Sequence, residues 1–184
     1  MQQRRPGFPA RISLPTAGQR PVSGSTTRSG TLPGVPVPAG LGLDSAAVRA
    51  RMVQRLSATG VTAPQVLQAM GSVERHRFVD TGLVNQAYED TSLPIGLGQT
   101  ISKPSIVARM AELLLGAEIV RSTGGLGRVL EVGTGCGYQA AVLSKLAREV
   151  YSMERLRGLH DKARDNLRPL RLANVHLLFG DGMA

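Results

Sequence analysis

The sequence predicts an α/β fold: a parallel sheet, of which three strands are visible, preceded by a helical segment. Three observations predict it. Short apolar runs at Arg128–Val132, Val150–Met153 and Val175–Phe179 are bounded by turn residues and read as buried strands. The stretches between them, Tyr138–Ala147 and Leu156–Leu167, have helical length and spacing. A Gly-rich turn joins the first strand to the first of these helices. Strands spaced in this way need βαβ crossovers, which are right-handed on steric grounds. No internal repeat is visible.

The elements follow in order. Residues 1–43 hold seven Pro, seven Gly and eight Ser or Thr. Such a segment buries too little apolar surface to offset its ordering entropy, so a disordered tail is expected. At Asp44 the pattern turns helical. Asp44 can cap a helix in which Val48, Met52 and Leu56 recur every four residues, ended by Gly60. Thr62 can cap a second helix, with Pro64 in its first turn, Val66, Leu67 and Met70 on its apolar side, and Gly71 closing it. These stripes read as packing surfaces. Ser72 to Asp90 is mixed, with Phe78 and Val79 as anchors. A Gly-rich loop runs from Thr91 to Thr100. A helix follows over Pro104–Leu115, with Ser102 or Ser105 as candidate caps, and residues 122–127 read as a turn. The organisation is thus a tail (1–43), helices with a loop (44–121), and the start of a sheet domain (122–184).

Composition narrows the function classes. Hydrophobic residues make up 42% of the 184-residue chain and aromatics 3%, so a core must be built from aliphatic residues. The net charge is +9, but residues 1–43 carry five Arg and no acid, which leaves 17 basic against 13 acidic residues elsewhere. The excess is therefore largely tail charge, and the balance argues against a specific nucleic-acid partner. Cys136 is the single cysteine, so no disulfide can close within the chain. No apolar run approaches the ~20 residues of a membrane-spanning helix, and no signal-peptide core is present. The expectation is a cytoplasmic protein with no membrane association. His76, His160 and His176 lack metal-ligand spacing, so no metal is expected.

The segment that carries chemistry is Val129-Leu-Glu-Val-Gly-Thr-Gly-Cys-Gly-Tyr138. Gly133, Gly135 and Gly137 permit tight turns and close approach of a ligand. Dinucleotide sites use a G-x-G-x-x-G spacing to hold a pyrophosphate. Here the spacing is G-x-G-x-G, and Glu131 precedes the first glycine by two residues. A carboxylate there would repel a pyrophosphate but suits a ligand bearing an ammonium group, such as the methionine part of S-adenosylmethionine. The helix start would favour that ligand's carboxylate. Glu154 ends the second strand, where an acid accepts hydrogen bonds from ribose hydroxyls. Asp181 follows the third strand and could reach an adenine edge. Three acids after three strands fall at the carboxyl edge of one sheet, where such folds bind ligands. Cys136, inside the loop, reads as a small filler or as a redox-sensitive thiol.

A second segment, Leu93-Pro-Ile-Gly-Leu-Gly-Gln-Thr-Ile-Ser-Lys-Pro104, has no obvious packing periodicity. Gly98-Gln-Thr-Ile-Ser102 with Pro104, the glycine segment above, and Met70-x-x-Val-x-Arg-x-x-Phe-Val79 together resemble the protein-L-isoaspartate O-methyltransferase family, over about residues 48 to 184. The resemblance implies a Rossmann-like class I methyltransferase sheet and S-adenosyl-L-methionine as cofactor. It implies methyl transfer to the side carboxylate of L-isoaspartyl residues, with isoaspartyl-containing proteins and peptides as partners in protein repair. It makes Ser102 the active-site serine. It places Thr100, Ile101 and Ser102 at the substrate, and Ile101, Ser102, Glu131, Gly133, Thr134, Gly135, Gly137, Glu154, Asp181 and Gly182 at the cofactor.

An isoaspartyl carboxylate is already a nucleophile, so Ser102 is expected to position it by a hydrogen bond rather than react covalently. Ser102 could also serve as a helix cap. The family continues with further strands after the point where this chain stops. The expectation is an incomplete sheet, with Arg128–Val132 exposing an apolar edge. Two other readings stay open on the residues: a methyltransferase acting on another substrate, or a non-catalytic fragment whose basic tail binds anionic surfaces.

Overall fold

The computed structural model describes residues 46–182. The expected tail over 1–43 and the cap at Asp44 lie outside these residues. Helix α1 spans Ala46–Ala58 and buries Met52 and Leu56; helix α2 spans Pro64–Ser72 and buries Val66, Ala69 and Met70. Thr62 does not cap α2. The N-cap is Ala63, which makes no side-chain capping bond. The donors of that turn go instead to Glu112, whose Oε1 accepts the Thr62 and Ala63 N–H groups at 2.6 and 2.9 Å. A carboxylate from another helix thus takes the capping role.

Two 3₁₀ turns follow, at Arg75–Phe78 and Thr81–Gln86. Phe78 is buried and meets the Tyr138 ring edge-on at 5.5 Å. The expected loop is in fact a hairpin: β1 (Leu93–Gly96) pairs antiparallel with β2 (Gln99–Ile101). Its tip, Leu97 and Gly98, has positive φ at both residues (52° and 69°), which suits a tight two-residue turn. Helix α3 spans Pro104–Leu115, as expected, but neither serine caps it. Its N-cap is Lys103, and the Ser105 N–H donates to Asp90 at 2.8 Å. A short helix α4, Glu118–Thr123, fills a stretch for which no element was expected and takes in the start of the turn expected over 122–127; Gly124 at φ 77° ends it.

The sheet follows. Strand β3 covers Leu126–Val132, β4 covers Ala147–Glu154 and β5 covers Val175–Phe179. They pair in parallel in the order β3-β4-β5. Helix α5 (Tyr138–Leu143) joins the first two and α6 (Arg157–Leu167) the second two. Helix α5 stops four residues earlier than the sequence pattern suggests. The Asn174 side-chain amide donates to the Ser144 and Ala147 carbonyls at 2.9 and 3.1 Å, which ties the turn after α5 to the start of β4.

One apolar cluster runs from Met52 on α1 to Leu167 on α6, so the N-terminal helices and the sheet share a core. The outer edge of β3 carries no partner strand among the described residues. Leu130 and Val132 there are 63% and 60% exposed, unlike the buried faces of a covered parallel sheet. No described helix is long and apolar enough to cross a membrane.

Candidate active site

The carboxyl ends of β3, β4 and β5 meet the β1–β2 hairpin at one cleft. The loop after β3 is built on backbone that side chains rarely adopt: φ is +94° at Gly133, +59° at Gly135 and +90° at Gly137. The Gly133 and Thr134 N–H groups both donate to the Met153 carbonyl, at 2.8 and 3.2 Å, which anchors the loop to β4. A Cβ on Gly133 would meet nothing within 4 Å, so the space beside it is open to a ligand. Helix α5 begins directly at Tyr138 but is only six residues long, so its dipole is shorter than the sequence pattern implied. The Gly135 and Gly137 N–H groups are also engaged, by Glu154 and by the Thr134 carbonyl, each at 2.9 Å.

Three acids come to this edge, in different states. Glu131, on β3, is 6% exposed and accepts a hydrogen bond from the Ser152 hydroxyl on β4. Burial pushes its carboxyl up to about 7; the nearby Glu154 charge acts in the same direction and the Ser152 bond opposes it. Glu154, the last residue of β4, accepts the Gly135 and Leu156 N–H groups, each at 2.9 Å. A carboxylate offers about four lone-pair sites, so these two bonds leave capacity for ribose hydroxyls. Asp181 is exposed just beyond β5. Gly182 packs so closely on Val132 that an added Cβ would come within 2.7 Å of its Cγ1.

The cleft has two adjoining lobes that share Val132 and Gly133. One, about 160 Å³, is lined by Thr100, Ile101 and Ser102 on one side and Glu131, Thr134 and Gly135 on the other. The second, about 210 Å³, holds Gln99, Glu154, Asp181 and Gly182. Gly137 is buried behind the loop, where an added Cβ would sit 3.0 Å from Leu167. A larger hollow of about 700 Å³ lies along the free edge of β3; none of Gly133, Gly135 and Gly137 lines it, and it gathers Arg128 and Arg148 but no acid. The chemistry-bearing residues single out the smaller cleft.

Two contacts hold the hairpin in place. Lys162 on α6 reaches Asp80 at 2.8 Å and the Ile95 carbonyl at 2.9 Å. Leu97 packs on α6, where an added Cβ at Gly158 would meet its Cδ1 at 2.9 Å. Arg75 is fully buried beneath the site. Its Nε donates to the Ala87 carbonyl at 2.7 Å, its Nη2 to the Thr91 carbonyl at 3.3 Å, and its guanidinium lies 4.8 Å from the Tyr138 ring centre. With no capping bond to make, the Ser102 hydroxyl is exposed at the cleft.

Cys136 is buried, and burial pushes its thiol up, so it behaves as a filler and not as a reactive thiolate. The histidines line neither lobe. His76 pairs with the Tyr88 hydroxyl at 2.8 Å and His176 with Glu149 at 2.6 Å, and His160 sits against the Phe179 ring. Among the described residues no group of His, Cys, Asp or Glu could hold a metal. Sequence reasoning missed Ser152. Its only signal was register: Glu131 and Ser152 are direct partners across the β3–β4 ladder.

The similarities to known proteins agree with this geometry. The family model described as protein-L-isoaspartate(D-aspartate) O-methyltransferase matches residues 47–184. The protein-L-isoaspartate O-methyltransferase of Methylibium petroleiphilum is 55% identical over 192 residues, covering 98% of this chain and 69% of that protein. Those of Leptothrix cholodnii and Burkholderia thailandensis are 57% and 54% identical, covering 92% and 95% of this chain and 58% and 53% of theirs. The chain therefore spans between about half and seven-tenths of the length of these relatives. A solved protein-L-isoaspartate O-methyltransferase superposes with a TM-score of 0.61 at 29% identity, covering 73% of this chain and 42% of that one. A second, from Plasmodium falciparum and in complex with S-adenosyl-L-homocysteine, shares the fold with a TM-score of 0.59 at 23% identity, over 72% of this chain and 62% of its own. Sheet order, the glycine loop and these matches agree: the chain belongs to the protein-L-isoaspartate(D-aspartate) O-methyltransferase family.

Proposed function

We propose that the protein methylates the side carboxylate of L-isoaspartyl residues in damaged proteins and peptides, using S-adenosyl-L-methionine. The observation that carries this is the convergence of the Thr100–Ser102 segment and the Glu131–Gly135 loop on one cleft. Among the described residues no other cleft brings these two segments together.

The residues fit the cofactor by their chemistry. Among the described residues Glu131 has no cationic partner, and it suits an ammonium group. Glu154 suits a ribose diol and Asp181 an adenine edge. When bound, S-adenosylmethionine supplies a methyl group already activated on a sulfonium. An isoaspartyl carboxylate is ionised at neutral pH, so the chain needs no strong base. Ser102 donates a hydrogen bond that orients the acceptor carboxylate, and Thr100 and Ile101 frame it. Alignment and exclusion of water supply the rate, as effective molarities of ~10⁵ M and above show for well-oriented reactants. On this reading residues 44–121 supply the N-terminal helices and the substrate loop, and residues 122–184 the first half of the cofactor-binding domain. We assign the protein to the cytoplasm, in keeping with its single cysteine.

The test is methyl incorporation from labelled S-adenosylmethionine into an isoaspartyl peptide beside its aspartyl twin. Selective labelling of the first supports the proposal. Equal labelling of both, or labelling of neither, counts against it for this chain.

A further inference from the structure

The hydroxyls behind Glu131 form a directed chain. The Ser152 hydroxyl donates its one hydrogen to Glu131 Oε2. Its contact with the Thr134 hydroxyl, at 2.7 Å, must then run the other way, with Thr134 donating to Ser152. Ser152 is wholly buried, and Thr134 and Glu131 nearly so. Such a chain ends on an acceptor and favours the ionised carboxylate. Burial and a like charge oppose ionisation. Glu154, on β4, adds a like charge. The loop and α5 bring the Cys136 thiol, the Tyr138 hydroxyl and the Gln139 amide, the hairpin side brings the Thr100 and Ser102 hydroxyls, and α3 brings Met110, none of them charged. No Lys, Arg or His lines the lobe. Arg75 lies against the Tyr138 ring but does not line the lobe, and its charge is not among those that act on Glu131.

We propose that cofactor binding is coupled to proton release at Glu131, with Ser152 as the positioning residue that sets how readily the proton leaves. This rests on reading the cleft as the site of a ligand bearing an ammonium group. In the free protein burial lets the carboxyl keep its proton well above the ordinary carboxylate range. When the ammonium arrives, the Glu131 O–H bond breaks, its electron pair remains on the oxygen, and the proton passes to water. The carboxylate then faces one cation on the ligand side and one hydroxyl donor on the protein side.

The experiment is titration calorimetry of the full chain with S-adenosylhomocysteine, in phosphate and in Tris, at pH 6, 7 and 8. Buffers of unequal ionisation enthalpy count the protons exchanged. With the free carboxyl at about 7, wild type should release about half a proton at pH 7 and nearly one at pH 6, and its affinity should rise about tenfold from pH 6 to pH 8. E131Q should lose this component and keep only the ligand's own titration. S152A should move the midpoint of the affinity profile to higher pH, because it removes a bond that favours the charged form. A purely structural Ser152 would lower affinity by one factor at every pH and leave the midpoint in place, which would overturn its role. Wild-type binding with the same proton count as E131Q would overturn the coupling while leaving the cofactor reading intact. No binding at any pH would overturn the cofactor reading and the coupling with it. The comparison of wild type with E131Q decides the coupling even if S152A does not fold, and T134V then tests the other end of the chain by the same midpoint shift.

Discussion

Replacing Glu131 by Gln keeps the side chain's shape and removes a charge that the fold must otherwise bury. The unfolded chain releases the Glu131 proton near the ordinary 4.5, whereas the folded protein holds it to about 7. Between those values the native state binds more protons than the unfolded state. Its stability therefore falls as pH rises through that window and levels off above the folded value. A shift of this size, at 1.36 kcal/mol per unit, corresponds to about 3 kcal/mol lost between pH 4.5 and pH 8. The Gln variant carries no such slope. At pH 8 it should be the more stable protein, although part of the gain is offset because its amide must find partners where Ser152 now donates. The assay is urea unfolding followed by far-UV circular dichroism at pH 5, 6, 7 and 8, for both proteins. The difference between them isolates Glu131 from every other titrating group. Two parallel stability-versus-pH curves would refute the claim that this carboxyl is buried against its charge.

Other outcomes follow from single contacts. Ser102→Ala should slow turnover about tenfold, the worth of one hydrogen bond to a charged group, with S-adenosylhomocysteine affinity little changed; weakened affinity at unchanged turnover would place Ser102 at the cofactor instead. Glu112→Ala should cost about 1–2 kcal/mol at pH 7 through loss of a cap, read from the urea midpoint. Hydrogen bonds from the Ala63 and Thr62 N–H groups hold the Glu112 carboxyl down at about 2. Its contribution is therefore complete above the ordinary 4.5 and lost as pH falls through 2, so wild type and variant should converge in acid. Gly137→Ala forces a side chain into φ +90° and 3.0 Å from Leu167, and should destabilise by about 1–3 kcal/mol; an unchanged unfolding midpoint would show that the loop adapts.

What could be read from the sequence depended on the range of the interaction involved. Helix α3 and strand β5 were readable to the residue, because Pro104, the run of apolar residues and the Gly180 boundary are local signals. The β1–β2 hairpin was not, since its turn puts Leu97, a residue that disfavours positive φ, at 52°. Only the packing of Leu97 on Gly158, 61 positions away, accounts for that choice. The caps failed for the same reason. Ser102 has the right chemistry at the right place, yet Asp90 arrives from another segment and takes the Ser105 N–H that it would cap, and at the start of α2 Glu112 accepts the Thr62 and Ala63 N–H groups. In the site, the glycines and Glu131 announced themselves because a ligand-binding turn needs their backbone freedom and charge in one short stretch. Ser152 did not, because a serine inside a strand carries no local mark. It gains meaning only when parallel pairing sets it against Glu131. The motif therefore identifies where the ligand goes, while the protonation of that motif's acid is set by burial and by the strand beside it, where Ser152 opposes what burial imposes.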